Sequence, residues 1–399
     1  MNQTYRNTFN NQFSKEKYQS FLASVHQDFP GVLDFRIAET PIFLTDAFVE
    51  KCTSAGEDII DFIVHPDFKK YTEKAIPVGM FTPNEDDCPQ LLSIDFAISR
   101  NETGELTPYL IELQGFATLF NYQSYLAEKY MTHFNLPDTL SPYFNGLNRE
   151  DYLSLLEKIL LASLPAEEVI LLELFPEKQK TRIDFVLAKE HFGIETVCLT
   201  EIVKKDRNLF YQKNGKLQKI SRIYNRVILD ELATYKDLEL SFHFTDEVDV
   251  SWVSHPNWFF RISKYLLPLL SGKYIPKSYF LSDFDSQQEA IDQYVLKPLY
   301  SFAGAGVDLH PTVEKLKSIL EKDQYLMQKK VSYEPVIESL DGKVKAELRL
   351  MYLWDKTKSR PVLATNITRL SRGEMIGVRY NHSFDWVGGS IGFSQKGLK

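Results

Sequence analysis

The run Val169–Leu174 (VILLEL) is almost wholly apolar and of strand length, and it is followed by a helical pattern over Lys178–His191 and a second β-type run at Thr196–Thr200. Strands covered on both faces read this way, without alternation. Two of them joined through a helix make a βαβ unit. The chain is therefore expected to hold a partly parallel sheet, and residues 150–250 are read as an α/β domain. Pro137, Pro142 and Gly146 mark the boundary before it. Inside it, Asn214-Gly215 within Phe210–Ser221 signals a tight hairpin.

The flanking segments follow other patterns. Residues 1–90 read as mixed helix and loop, with helices expected at Asn10–Val25 and Asp46–His65. Leu91–Ser99 (LLSIDFAIS) and Tyr109–Leu113 (YLIEL) are β-type runs around the polar turn 100–105, which predicts an antiparallel hairpin. With the helical stretch Tyr122–Tyr130 it forms a unit over residues 91–135. Trp252–Leu270 is expected to be a helix ended by Gly272. A strand, helix and strand then close on Tyr294–Pro298, and further strands fall at Tyr325–Val331, Val344–Trp354 and Arg360–Ile367. The expectation is α/β in the middle and α+β over residues 251–399.

Composition removes several functions. The 46 Lys and Arg face 54 Asp and Glu, a formal charge of −8, which disfavours nucleic acid and membrane surfaces as partners. The three cysteines are far apart and form no CxxC pair, which argues against a disulfide framework or zinc site and fits a reducing, cytoplasmic setting. No run of 18 apolar residues suggests a membrane span.

Four features carry chemistry. Lys297 ends a strand before the small-residue loop Ser301-Phe-Ala-Gly304-Ala305-Gly306, where backbone N–H groups and an ammonium suit phosphates. Glu112 and Gln114 share a strand face, and Asp95 lies on the partner strand, giving hard oxygens of the kind magnesium takes. Arg369, Arg372 and Arg379 cluster near the end of the chain, with Arg349 on an earlier strand, and arginines of this kind suit phosphate or carboxylate. Lys264 sits in the expected helix. Each feature alone also reads as ordinary solvated surface.

In their order, these segments resemble an ATP-grasp ligase. Lys264, Lys297-Pro298, the strand Gln328-Lys329-Lys-Val331 and Glu347-Leu-Arg349 follow the family's sequence of parts. The acidic trio precedes the lysines instead of following them. That inversion resembles the circularly permuted ATP-grasp group, which includes the synthetase domain of glutathionylspermidine synthetase. The segments GFATLFNYQSYLAE and IYNRV (223–227) extend the resemblance, and Gln114 stands where the family has Asn. The resemblance implies a permuted ATP-grasp fold with a pre-ATP-grasp-like α/β domain. It implies an ATP- and magnesium-dependent ligase that joins a small-molecule carboxylate to an amine through an acyl phosphate. Lys264, Lys297, Ser301, Gly304, Ala305, Gly306, Gln328, Lys329 and Val331 would then meet ATP. Asp95, Glu112 and Gln114 would hold Mg2+, while Arg349 and Arg379 would serve catalysis. The competing readings are a nucleotide-binding module without turnover and a plain scaffold protein.

Overall fold

The computed structural model describes residues 1–301, 304–376, 381 and 383–397. Its centre is a six-stranded antiparallel sheet. Across it run Gly388–Ser390, Val362–Ser371, Gly342–Leu353, Leu91–Arg100 and Leu106–Gln114, with Ile337–Ser339 paired onto Gly342–Leu353. The early hairpin is thus joined edge to edge with strands about 250 residues later, Asp95 lying opposite Arg349. The apolar residues Leu92, Ile94, Phe96 and Ile98 alternate on one face, in the large core shared with Leu348, Leu350 and the helix Asp46–Ile63.

The βαβ expectation meets a four-stranded parallel sheet in the order Ser251–Val253, Arg222–Asn225, Val169–Glu173, Glu195–Cys198. Its two faces bury separate clusters, one with Ile170, Leu172 and Ile223, the other with Val169, Leu171 and Tyr224. That two-sided burial is why the strands lack alternation. Asn214 and Gly215 both take positive φ, as the tight hairpin between Asn208–Lys213 and Lys216–Ile220 requires. A third sheet, Ser278–Phe280, Tyr325–Lys329 and Tyr294–Pro298, is antiparallel and carries Lys297. Residues 1–90 do not stand apart: Ile42–Phe43 pairs in parallel with Gly392–Gln395 near the other end of the chain.

Three helix expectations are corrected. The first breaks at Ser14, whose side chain accepts from the Lys17 N–H and starts a new helix, so Gln3–Gln12 and Lys15–Asp28 replace one segment. Trp252–Leu270 is not one helix but a strand end, the short helix Asn257–Arg261 and a 3₁₀ turn Lys264–Leu269. Pro256 and Pro268 punctuate that stretch, and most of its apolar residues from Trp252 to Leu267 are buried, so no single amphipathic stripe exists. Between Ser278–Phe280 and Tyr294–Pro298 there is only a short 3₁₀ turn, Ile291–Gln293. Among the described residues, no helix is long and apolar enough to cross a membrane.

Candidate functional site

The site begins with cross-strand register. Glu112, Asp95 and Arg349 sit directly opposite one another on three neighbouring strands, and Glu347 pairs with Arg369 in an adjacent row. Side chains at paired positions share a face, so five charged groups meet on the side of the sheet away from the core. Asp95 is fully buried. Arg349 grips it with two parallel bonds, Nε to Oδ1 at 2.6 Å and Nη2 to Oδ2 at 2.7 Å. Arg369 donates to the same Oδ2 and to Glu347 Oε1, and Tyr333 closes the set by donating to Glu347 Oε2. Both oxygens of the expected metal ligand Asp95 are therefore taken by guanidinium groups.

Glu112, at the edge of this group, opens onto a cleft. Its side chain is about one-fifth exposed at 21% and lies 3.7 Å from Lys264 Nζ and 3.9 Å from Arg349 Nη2. Gln114 donates to it at 2.9 Å, confirming that the two share a face. Burial works against its charge, but Lys264, then Arg369, Arg349 and Lys297, outweigh it and bring the carboxyl down to about 2.

Both lysines reach this spot. Gly115 lets the hairpin approach the turn that carries Lys264: its N–H donates to the Ile262 carbonyl at 2.8 Å, and a Cβ there would run into the Trp258 carbonyl oxygen. Lys264 Nζ then donates to the Ser301 carbonyl at 2.5 Å. Lys297 arrives from the third sheet, donating to the Ile111 carbonyl at 3.1 Å and to Gln328 Oε1. Burial pushes its ammonium down to about 8, against the pull of Glu112. Gln328 in turn donates to the Leu110 carbonyl, tying the third sheet to the hairpin.

The remaining expected residues spread outward. The strand carrying Lys297 turns at Gly304 and Gly306, both at positive φ, and folds back so that Asp308 pairs with Leu296. Lys329 is exposed, its N–H donating to the Lys277 carbonyl, and Val331 is half-buried beyond it. Ala305 is exposed on the turn. Arg372 lies away from the cluster, bonded to Ser339 and Asp341. Arg379 lies outside the described residues. The cleft is narrow and is lined by Glu112, Gln114, Phe116, Phe259, Lys264 and Ser301. The rings of Phe116 and Phe259 and the hydroxyl of Tyr333 escaped the sequence reading. An aromatic residue next to Gly115, just past the acidic strand, was the available signal for Phe116.

No protein-family model matches the chain, and no curated protein matches it. Among solved structures, it is similar in fold to a glutathione synthetase-like effector from Globodera pallida, determined in its apo form. The likeness covers 98% of this chain and 99% of that one, with a TM-score of 0.61 and 9% identity. The chain thus has a mixed α/β fold of the glutathione synthetase-like kind.

Proposed function

We propose that this chain is an ATP-dependent carboxylate–amine ligase on a circularly permuted ATP-grasp scaffold. The observation that carries the reading is the 3.7 Å approach of Lys264 to Glu112, with Lys297 bonded to the same hairpin at Ile111. The early acidic hairpin and Lys264 share one cleft, and Lys297 is buried against the same hairpin. A magnesium-loaded triphosphate needs that pairing, because transferring its γ-phosphoryl group is mainly positioning and charge neutralisation. The glutathione synthetase-like neighbour supports a ligase-type scaffold.

In this reading Lys264 and Lys297 hold the phosphates, the loop from Ser301 through Gly304, Ala305 and Gly306 covers them, and the backbone of Gln328, Lys329 and Val331 faces the base. Glu112 and Gln114 fit a magnesium that arrives on the triphosphate, since that ion commonly takes only one or two carboxylates and keeps phosphates and waters. Asp95 does not fit as a ligand, because Arg349 and Arg369 occupy both its oxygens. Its part is to aim Arg349 at the cleft. Bound there, magnesium supplies charge neutralisation of the β and γ phosphates. A substrate carboxylate oxygen attacks the γ-phosphorus and ADP leaves. An amine nitrogen then attacks the acyl carbon, the C–O bond breaks, phosphate departs and the nitrogen gives up its proton. Arg349, and Arg379 by resemblance, offset the charge on the transferred group. The substrates are small molecules and the setting cytoplasmic.

The test is thermal unfolding with Mg-ATP. At about a hundred times Kd, binding adds roughly 2.7 kcal/mol, a shift of several degrees. An unchanged midpoint at millimolar Mg-ATP overturns the proposal. The capture of Asp95 by two arginines favours one second reading, a nucleotide-binding module without turnover. ADP release with a panel of carboxylates and amines separates them: protection without release across the panel selects the module.

A further inference from the structure

The small antiparallel sheet Val203–Lys205, Asn208–Lys213 and Lys216–Ile220 contributes no residue to the lining of the cleft. Alternation gives it two unlike faces. Leu209, Tyr211 and Ile220 point inward, into the core that also holds Ile170 and Ile223. On the outer face, Val203, Phe210 and Lys219 stand directly opposite one another across the three strands. Lys205 pairs with Asn208 in the row on one side, and Gln212 with Leu217 in the row on the other. An apolar strip, Val203, Phe210 and Leu217, therefore crosses this face, flanked by Lys205 and Lys219. None of the three takes part in the core beneath. Leu217 is 38% exposed, Val203 and Phe210 are half-buried, and Lys205 Nζ lies 5.7 Å from the Phe210 ring centre.

The charge of this sheet opposes that of the chain. Six Lys and Arg and one Asp fall within residues 203–220, against a formal charge of −8 for the whole. Lys204 is paired with Asp246, and Arg207 with Glu247 and Asp249. Among the described residues, Lys205, Lys213, Lys216 and Lys219 form no ion pair, and all but Lys213 are fully exposed. Lys213 and Lys216 are direct cross-strand neighbours at the hairpin tip. Like charges so placed destabilise a sheet, and an anionic partner relieves that repulsion.

We propose that the outer face of this sheet docks an acidic segment of a partner polypeptide. Its carboxylates meet Lys205 and Lys219, and an apolar side chain covers the strip of Val203, Phe210 and Leu217. The amides of Asn208 and Gln212, on the same face, can bond its peptide groups. A nucleic-acid strand fits less well. Its continuous line of phosphates would meet Asp246, Glu247 and Asp249 beside the sheet, where Arg207 is already engaged. A membrane surface would need an apolar tip, and the tip here is Asn214-Gly215. The surface stands whether or not the chain is a ligase.

The experiment titrates the whole chain into a labelled peptide of Glu-Glu-Leu repeats and reads fluorescence anisotropy. Saturable binding is expected with a Kd on the order of 10 μM, suited to a small transient interface, and weakening several-fold as salt is raised. Lys205→Glu combined with Lys219→Glu should weaken it at least about tenfold, and Leu217→Ser about threefold. Lys317→Glu combined with Lys322→Glu makes the same change in net charge elsewhere and should leave the Kd in place. No saturable binding by the wild type, an undiminished Kd in the first double variant, or an equal loss in the second overturns the surface. Equal binding of a Gln-Gln-Leu peptide overturns it too. Tighter binding of a single-stranded oligonucleotide or of phosphatidylserine vesicles than of the peptide overturns the polypeptide as occupant.

Discussion

Two buried charge clusters lie on either side of one cleft, and they are built in opposite ways. On the central sheet, Asp95 is held by two arginines and Glu347 by Arg369 and Tyr333. On the edge of the parallel sheet, Asp230 keeps an oxygen, and Arg226 and Asn225 keep nitrogens, that have no hydrogen-bond partner among the described residues. Among the described residues, the first, closed cluster has all four carboxylate oxygens of Asp95 and Glu347 paired within its own chain, with Arg369 Nε left over, whereas the second, open one leaves one oxygen and two nitrogens without a hydrogen-bond partner. Buried polar groups cost free energy when unpaired, so the paired carboxylates of the first cluster serve the fold. Lys264 stands between them, bonded to the Ser301 carbonyl and facing Glu112.

The largest expected effect breaks the closed cluster. Asp95→Asn removes the charge that Arg349 and Arg369 share and leaves the buried Arg349 guanidinium short of an anion. Removing one partner of a buried ion pair costs about 3–5 kcal/mol. Denaturant unfolding measures it, with Asp230→Asn on the open side expected to cost under about 1 kcal/mol. An Asp95→Asn loss as small as that would mean the central cluster is not closed in solution, and Asp95 would then be free to ligate a metal.

A middle-sized effect sharpens the contrast from the cleft. Lys297 has its ammonium lowered to about 8 by burial, so it is protonated and able to hold phosphate below that pH and loses its charge above it. Mg-ATP protection should weaken as pH rises through 8. Lys297→Met should weaken Mg-ATP binding by about tenfold or more, since a charge-assisted contact is lost, and should flatten that pH dependence. Isothermal titration between pH 7 and 9 reads both, and wild-type affinity independent of pH would count against a phosphate at Lys297.

The closed cluster was half legible in the sequence, and the open one was not. The acidic hairpin was readable because its alternation and its polar turn at residues 100–105 are local signals. The Asn214-Gly215 hairpin and the βαβ unit were readable for the same reason. That Asp95 would meet Arg349 depends on pairing between distant strands, which no local pattern encodes. The helix expected over Trp252–Leu270 failed because a mostly buried segment interrupted by Pro256 and Pro268 loses the periodicity that separates helix from strand. Glu173 passed as part of an apolar strand, although a carboxylate ending such a run, with Asn-Arg and Asp-Glu five residues apart downstream, was a signal of a polar edge.

The smallest effect concerns stability against pH, where the two clusters should pull in opposite directions. Glu112 has a folded pKa of about 2, below its ordinary 4.5, set by Lys264 and the arginines against burial. Its contribution is complete above 4.5 and is lost as pH falls toward 2. Glu173 has a folded pKa of about 8, raised from 4.5 by burial and opposed by Arg226. The folded chain then binds that proton more tightly than the unfolded one, so stability should fall as pH rises from 4.5 through 8. The slope from this one group is at most about 1.4 kcal/mol per pH unit. Glu173→Gln carries no such proton and should flatten the curve between pH 5 and 8 while leaving the acid limb unchanged. A wild-type curve already flat in that window would mean that Glu173 is charged in the free protein, with Arg226 outweighing its burial.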